Sequence, residues 1–345
     1  MHIIEPKVEF IGGNVPYYER AKHVEVCGRV CYKSEEKITQ GSAEKFISGV
    51  IKRGHEAVLE HARITLNLSE GDRESAWNDI RAVSMILHEQ GIEPYLLVTG
   101  KNGTKIVSGN VRAWRNISDI LFHQAFAGDI QTAMGGMLHD ITKTVFKRMW
   151  HENIEFFPEF IQADDPYVHD TLADINPEKT PMGIFSDPAL RKIHSWYTFR
   201  FICDRGVTHE IVRHRPASYC QESTRYCDYS NGKFGGEITV IKPFYLQEGS
   251  LSYDRWFAAC TAAEQCYFDM RREGCTPQEA RAVLPNSLKT EIIMTATADE
   301  WIHFINLRSR GTTGAPHPQM REVATQVEQK LCEIDPEVFR YEKTE

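Results

Sequence analysis

The run RGVTHEIVRHRPASYCQESTRY, Arg205 to Tyr226, concentrates side chains that grip phosphate groups or planar rings. Arg213, His214 and Arg215 are consecutive, and Ser218, Gln221, Ser223, Thr224 and Arg225 follow closely. Guanidinium forks hold phosphate in bidentate fashion. Loop hydroxyls and backbone N–H groups complete such a cradle. On a helix, Glu210 and Arg213 are three apart and share a face. Pro216 is expected to stop that helix. The chemistry is recognition of an anionic nucleotide. A lone Arg-His-Arg triplet is usually a solvated surface feature; the whole run argues against that reading.

His209-Glu210-Ile211-Val212-Arg213-His214 imitates a zinc-protease HExxH, but the second histidine comes five residues later, not four. At the helical period the two imidazoles stand about 140° apart and cannot share one metal. The nine cysteines form no CxxC pair, so a cysteine zinc site is not expected either. No metal site is predicted. The 14 histidines leave a metal-dependent nucleotide hydrolase as a rival that insensitivity to chelator would exclude. Cys220 reads as small apolar filler ahead of the alternative of a reactive thiol. Ser223 reads as a binding group, because no general base is placed beside it.

The chain has 345 residues, 41% hydrophobic and 26% charged, with a formal net charge of -8. This is ordinary globular composition, enough for one large domain or two modest ones. An acidic balance gives no support for nucleic-acid or membrane binding. It makes a local arginine cluster more informative. MHIIEPKVEF does not resemble a signal peptide, and no apolar run reaches the length of a membrane span. Reduced thiols and a cytoplasmic location are expected.

These residues need elements to position them. Val8–Phe10 reads as a strand. Ser42 reads as the N-cap of a helix through Arg53 with Phe46, Ile47, Val50 and Ile51 on one face, ended by Gly54. Arg63–Leu68 alternates as a strand, and Ser75 to about Gln90 looks helical. Tyr95–Val107 reads as a hairpin turning at Asn102-Gly103. Asn110 to about Trp150 supports one or two helices, and 164–188 is a loop or insertion boundary. Trp196–Ile202 is a strand, followed by a short helix capped by Asp204. Glu237–Ile241 and Thr290–Thr297 are strands, and Trp256–Arg272, Ala298–Arg308 and Gln319–Leu331 are helices. Thr276-Pro277-Gln278-Glu279 is a capping box with proline at the first helical position. The fold class is α/β (α+β): a central mixed or antiparallel sheet flanked by helices. One domain over 1–345 is expected, with a largely helical insertion at 72–188.

Arg213-His214-Arg215, seven residues, then Ser223 resembles the RHRx7S signature of the flavin-dependent thymidylate synthases. Three further segments strengthen the likeness. Arg53-Gly54-His55-Glu56 through Glu60-His61 resembles the family's HGHExxxEH segment. Ala280–Pro285 looks like its AR-VLP helix. Trp301–Arg308 with His317–Glu322 forms the third. Ser108–Trp114 resembles only the longer members.

The resemblance implies reductive methylation of dUMP to dTMP. Methylenetetrahydrofolate would supply the carbon, and FAD reduced by NADPH the hydride. It implies a homotetramer with sites shared between subunits. Arg308 matches the catalytic arginine, which promotes ionisation of the uracil ring. Glu210, Arg213, Gln221, Ser223, Thr224, Arg225, Arg281 and Arg308 fall on dUMP positions. His55, Glu60, Arg213, His214, Arg215, Gln221, Thr297, Asp299 and His303 fall on FAD positions. Glu210 stands where many members carry glutamine. Its carboxylate is free to pair with Arg213 or to repel a phosphate. Cys220, Thr297 and Asp299 also depart from the common residues. These departures motivate the alternatives of a flavin-dependent NADPH oxidase or a degenerate homologue that binds nucleotide without making product.

Overall fold

The computed structural model describes residues 1–15, 19–67, 96–101, 104–115, 186–232 and 235–340. In chain order the strands are β1 (His2–Ile4), β2 (Lys7–Gly13), β3 (Arg63–Asn67), β4 (Leu96–Lys101), β5 (Thr104–Asn110), β6 (Trp196–Asp204), β7 (Ser218–Gln221), β8 (Thr239–Ile241) and β9 (Lys289–Thr297). The α-helices named below are α1 (Arg20–Val30), α2 (Ser42–Lys52), α3 (Pro188–His194), α4 (Arg205–Ile211), α5 (Leu251–Arg272), α6 (Pro277–Ala280), α7 (Ala298–Ile305) and α8 (Pro318–Ile334). The chain divides into two compact units. One comprises Met1–Gly12, Cys27–Glu36 and Tyr197–Glu345, the other Gly13–Val26 and Lys37–Trp196.

The first unit is built on a four-stranded sheet ordered β2-β6-β9-β7. β7 and β9 run antiparallel, with Ser218 opposite Thr295 and Gln221 opposite Ile292. β6 and β9 are interior strands buried along almost their whole length, with apolar stretches at Phe199–Cys203 broken by Arg200 and at Ile292–Met294. Helix α8 presents Met320, Val323, Ala324, Val327 and Leu331 as one stripe to this core. Helix α7 adds Trp301 and Phe304. Trp301 meets Phe199 edge-on at 5.1 Å and donates its Nε1–H to the Tyr197 carbonyl at 3.0 Å. A second apolar cluster joins Val240 and Leu288 to Cys260 and Tyr267 of α5, with β1 and β8 pairing in parallel. α5 starts at Leu251, earlier than expected, because the Ser250 hydroxyl accepts from Tyr253 N at 3.2 Å. The capping box at Thr276 forms as expected, ahead of the single turn α6.

The second unit holds an antiparallel sheet ordered β3-β5-β4. β4 and β5 pair antiparallel from Leu96 opposite Gly109 to Lys101 opposite Thr104, as expected of the hairpin; its turn at Asn102-Gly103 lies outside the described residues. α2 buries Phe46, Ile47 and Val50 and is followed by Gly54 at φ 70, as read from the sequence. Its N-cap is a correction. Gly41, in the left-handed region at φ 77, occupies that place. Ser42 is the first helical residue, and its hydroxyl bonds back to Glu25 and Thr39. The expected helix at 75–90 lies outside the described residues. So do most of 110–150 and of the loop at 164–188, although 111–115 form a helical turn.

His194 closes this unit. It ends α3, is fully buried, and is held between the Thr99 and Ser108 hydroxyls, each at 2.8 Å. Burial, aided by the charge of Arg63, pushes its pKa down to about 4. The folded state therefore prefers neutral imidazole. The stability this contributes is present above the unfolded pKa near 6.5 and is lost as pH falls towards 4. The melting temperature is expected to fall across that window. In His194→Gln the fall should be shallower, although buried His23, also lowered to about 4, keeps part of it. Thermal unfolding followed by circular dichroism between pH 4 and 8 measures both slopes; equal slopes in the two proteins would contradict the assignment.

Among the described residues no helix is long and apolar enough to cross a membrane. No group of three or more His, Cys, Asp and Glu among them is placed to hold a metal ion.

Candidate functional site

β6 ends at Asp204, which works in two directions. One carboxylate oxygen accepts from Val207 N at 2.8 Å and caps α4; the other accepts from Gln319 Nε2 at 2.9 Å on α8. The start of α4 is thereby fixed to the core. Burial raises the Asp204 pKa despite these bonds.

The end of α4 differs from the sequence expectation. The helix stops at Ile211, with Val212 as its C-cap, well before Pro216. The Tyr219 hydroxyl, returning on β7, shares its one proton between the Ile211 and His214 carbonyls at 3.0 and 2.6 Å, and His214 N also donates to the Ile211 carbonyl at 3.2 Å, so the turn closes without further helix. Arg213 thus lies off the helix and exposed, and the expected face shared by Glu210 and Arg213 does not form. His209 is exposed on α4 while His214 is buried beyond its end, which also separates the false metal pair.

Glu210 pairs instead with Arg308, whose Nη1 donates to Glu210 Oε2 at 2.6 Å. Arg308 Nε donates to His214 Nε2 at 3.0 Å. Because Nε2 accepts, the imidazole proton sits on Nδ1. Burial first, then the charges of Arg308 and His303, lower the His214 pKa to about 4, so the ring is neutral. The ring lies edge-on to Phe304 at 4.9 Å and to His303 at 5.9 Å. Its Nδ1 is buried without a hydrogen-bond partner among the described residues. A buried N–H left unsatisfied costs about 1–3 kcal/mol, so this donor is aimed at something.

Arg308 is delivered by a π-helical turn, Asn306–Arg310, that continues α7 and ends at Gly311 with φ 69. The sequence suggested plain helix here. Such turns recur at functional sites. This one is fastened to α8 on its far side: Arg310 Nε donates to Glu328 at 2.7 Å and Arg321 Nε to the Ser309 carbonyl at 3.0 Å.

The loop after β7 supplies the hydroxyl groups. Gln221 Nε2 donates to Thr208 at 3.1 Å and lies 3.5 Å from the Thr290 hydroxyl. Buried Thr224 is 3.5 Å from Arg281 Nη1. The Ser223 hydroxyl accepts from Arg225 N at 3.3 Å, a turn contact with no base in it. Arg213, Arg215, Arg225 and Arg281 are all exposed, as a set of anion-binding side chains requires. Arg225 lies 5.8 Å from the centre of the Tyr226 ring. Thr297 is the buried N-cap of α7, Asp299 is exposed in its first turn, and His303 is exposed on its last. Cys220 is more than filler: its thiol hydrogen-bonds Cys31, the chief cause that lowers the Cys31 pKa.

His55 and Glu60 belong to the second unit. His55 is exposed ahead of the 3-10 turn Glu56–His61. Glu60 accepts from Arg112 Nη1 at 2.7 Å, and Glu56 pairs with Arg115. These two bridges join the segment that resembles HGHExxxEH to Arg112 within Ser108–Trp114 and to the adjacent Arg115.

Behind the motif loop lies a buried ion network that no sequence motif marks. Glu222, 2% exposed, accepts from Lys289 at 3.1 Å and from the Tyr229 hydroxyl at 3.3 Å. Glu291 is bound by Lys33, Lys289 and Arg200, the last through Nε at 2.7 Å. Burial alone would raise the Glu291 carboxyl; Lys289 and Lys33 outweigh it and hold it down to about 2. Lys289 and Glu291 alternate on one side of β9. That was the available signal, but charge on a strand ordinarily faces water. Glu222 N also donates to the Glu291 carbonyl at 2.8 Å, which ties the start of the motif loop to β9.

Two stretches, residues 15–85 and 193–337, match the model of the family described as thymidylate synthase complementing protein, more than half of the chain. The chain belongs to this family. Among curated members, the flavin-dependent thymidylate synthase of Pyrococcus furiosus is 31% identical over 143 residues, 41% of this chain and 57% of the relative. That of Geobacter sulfurreducens is 30% identical over 148 residues, 43% of this chain and 61% of the relative. The chain thus spans about half the length of the curated relatives it matches. A UMP/dUMP methylase PolB from Streptomyces cacaoi, solved with 5-Br UMP, covers 44% of this chain and 74% of its own with a TM-score of 0.37 and 21% identity, too loose a likeness to place a residue. For this family member, the matched stretches contain the whole Arg205–Tyr226 run, Arg281 and Arg308.

Proposed function

We propose that the chain is a flavin-dependent thymidylate synthase that converts dUMP to dTMP, with methylenetetrahydrofolate as carbon donor and NADPH-reduced FAD as hydride donor. The observation that carries this reading is Arg308, fixed through Nε and Nη1 by His214 and Glu210. A guanidinium held in this way is preorganised to stabilise negative charge developing on a uracil ring. Arg225 and Arg281 suit the dUMP phosphate, with the Ser223 and Thr224 hydroxyls beside them. Arg213 belongs between nucleotide and flavin, with Gln221 contacting both.

The flavin fits the residues present. The orphaned Nδ1–H of His214 needs an acceptor, and a flavin ring offers carbonyl and ring-nitrogen acceptors. His214, Arg215, Thr297, Asp299 and His303 would hold it; His55 and Glu60 carry over as flavin positions from the resemblance alone. Bound there, FAD supplies hydride. The chain's own task is to bind, orient and stabilise charge. No protein nucleophile is assigned.

The RHRx7S resemblance implies a homotetramer with sites shared between subunits. The family match interrupted between residues 85 and 193 supports one family domain with an insertion near 72–188. Nine free cysteines support a reducing, cytoplasmic compartment.

The absorption spectrum of purified protein before and after dUMP addition tests both ligands together. Flavin bands that shift with dUMP are expected. A colourless protein that cannot be reconstituted with FAD would sink the proposal. The pairing of Arg308 with a carboxylate favours one second reading, a flavin-dependent NADPH oxidase without transfer to dUMP. Tritium release from C5-labelled dUMP separates the two, since an oxidase consumes NADPH and releases none.

A further inference from the structure

Glu210 is charged where many family members carry a neutral amide, and its position is defined by a bond that the sequence did not reveal. α4 carries it, the turn after α7 carries Arg308, and 98 residues separate them. Arg308 is engaged at two nitrogens, Nη1 by Glu210 and Nε by His214. Nη2 makes no hydrogen bond among the described residues, so its two N–H groups form the working end. The groups around this pair are few. His214 and His303 stand on the ring side. Glu300 acts on His303, and on Tyr219 together with Arg215. Arg310 is held by Glu328 on α8. Among the described residues, Glu210 is the anion bonded to Arg308.

We propose that Glu210 is the positioning residue of Arg308: it aims the guanidinium by holding Nη1, and its negative charge weakens the positive potential delivered to the ligand. This rests on the assignment of dUMP as substrate and Arg308 as the group facing the uracil ring. Two consequences separate aiming from charge. In Glu210→Gln the amide oxygen still accepts from Nη1 but the charge is gone. In Glu210→Ala both are gone. A bare cation favours an ionised uracil imide more than a compensated one does.

The test uses the FAD-loaded full chain. Calorimetry of dUMP binding in two buffers of different ionisation heat gives the protons released on binding. Glu210→Gln is expected to release more at fixed pH, and the ascending limb of its kcat–pH profile to move to lower pH by about one unit. Flavin loading should not change. Glu210→Ala is expected to lose about tenfold in kcat, because Arg308 is no longer aimed. A Glu210→Gln protein with unchanged proton release and an unchanged profile would overturn the proposal. So would a change confined to the dUMP KM, which would make Glu210 a direct substrate contact. If the wild-type protein binds neither FAD nor dUMP, the functional reading fails and this assignment falls with it, a result seen before any variant is made.

Discussion

Arg308→Ala is expected to abolish measurable dTMP formation while leaving FAD bound. Removing one preorganised donor from a developing negative charge costs about a hundred- to a thousandfold in kcat. Here the loss lies at the upper end, because Arg308 also holds its neighbours. His214 Nε2 loses its donor at 3.0 Å, and Glu210 loses its partner at 2.6 Å. FAD should remain because its other proposed contacts, Arg215, Thr297 and His303, lie on β9, α7 and the motif loop, whose core packing does not pass through Arg308. Arg308→Lys keeps the charge but cannot serve Nε and Nη1 partners at once, so it should restore little. Most of the loss is expected in kcat, with a smaller rise in the dUMP KM, because Arg308 meets the uracil imide in the bound substrate and more strongly as charge develops in the transition state. Stopped-flow and steady-state assays with flavin absorbance as loading control measure this. Full dTMP synthesis by Arg308→Ala would remove the assigned role.

The elements that build this site were legible in the sequence because burial there is periodic. β9 and α8 announce themselves by their apolar patterns. Asp204 announces α4 because a cap must sit just before the first turn. The ends of elements were less legible. Pro216 forbids helix locally, but α4 ends sooner, where the Tyr219 hydroxyl from another strand holds the turn through the Ile211 and His214 carbonyls. Ser42 has the right chemistry for a cap, yet a left-handed glycine took the place and freed its hydroxyl for Glu25. Site residues followed the same division. The triplet, Ser223 and Arg225 are contiguous and could be read as one feature. The bond between Glu210 and Arg308 could not, because no local rule links residues 98 apart. Glu222, Glu291, Lys33 and Lys289 were hidden for a related reason. Each alone reads as a solvated charge, and only their mutual pairing makes burial tolerable.

The second large effect is expected at the phosphate end. Arg281→Ala should raise the dUMP KM by about ten- to a hundredfold, the cost of one charge-assisted contact of roughly 1.5–3 kcal/mol. Arg281 is exposed, directly after the single turn α6, and approaches the Thr224 hydroxyl at 3.5 Å. That distance leaves most of the guanidinium available to a ligand. The phosphate does not change charge while the base is methylated. A contact to it therefore stabilises bound substrate and transition state alike, so kcat should hardly move. This contrasts with Arg308, where kcat carries the loss. Salt discriminates further. Exposed charges are screened, so the wild-type KM should rise with ionic strength and that of Arg281→Ala should rise less. Deoxyuridine, which lacks the phosphate, should bind both proteins equally weakly. An unchanged dUMP KM in Arg281→Ala would move the phosphate elsewhere, with Arg225 as the next side chain to replace.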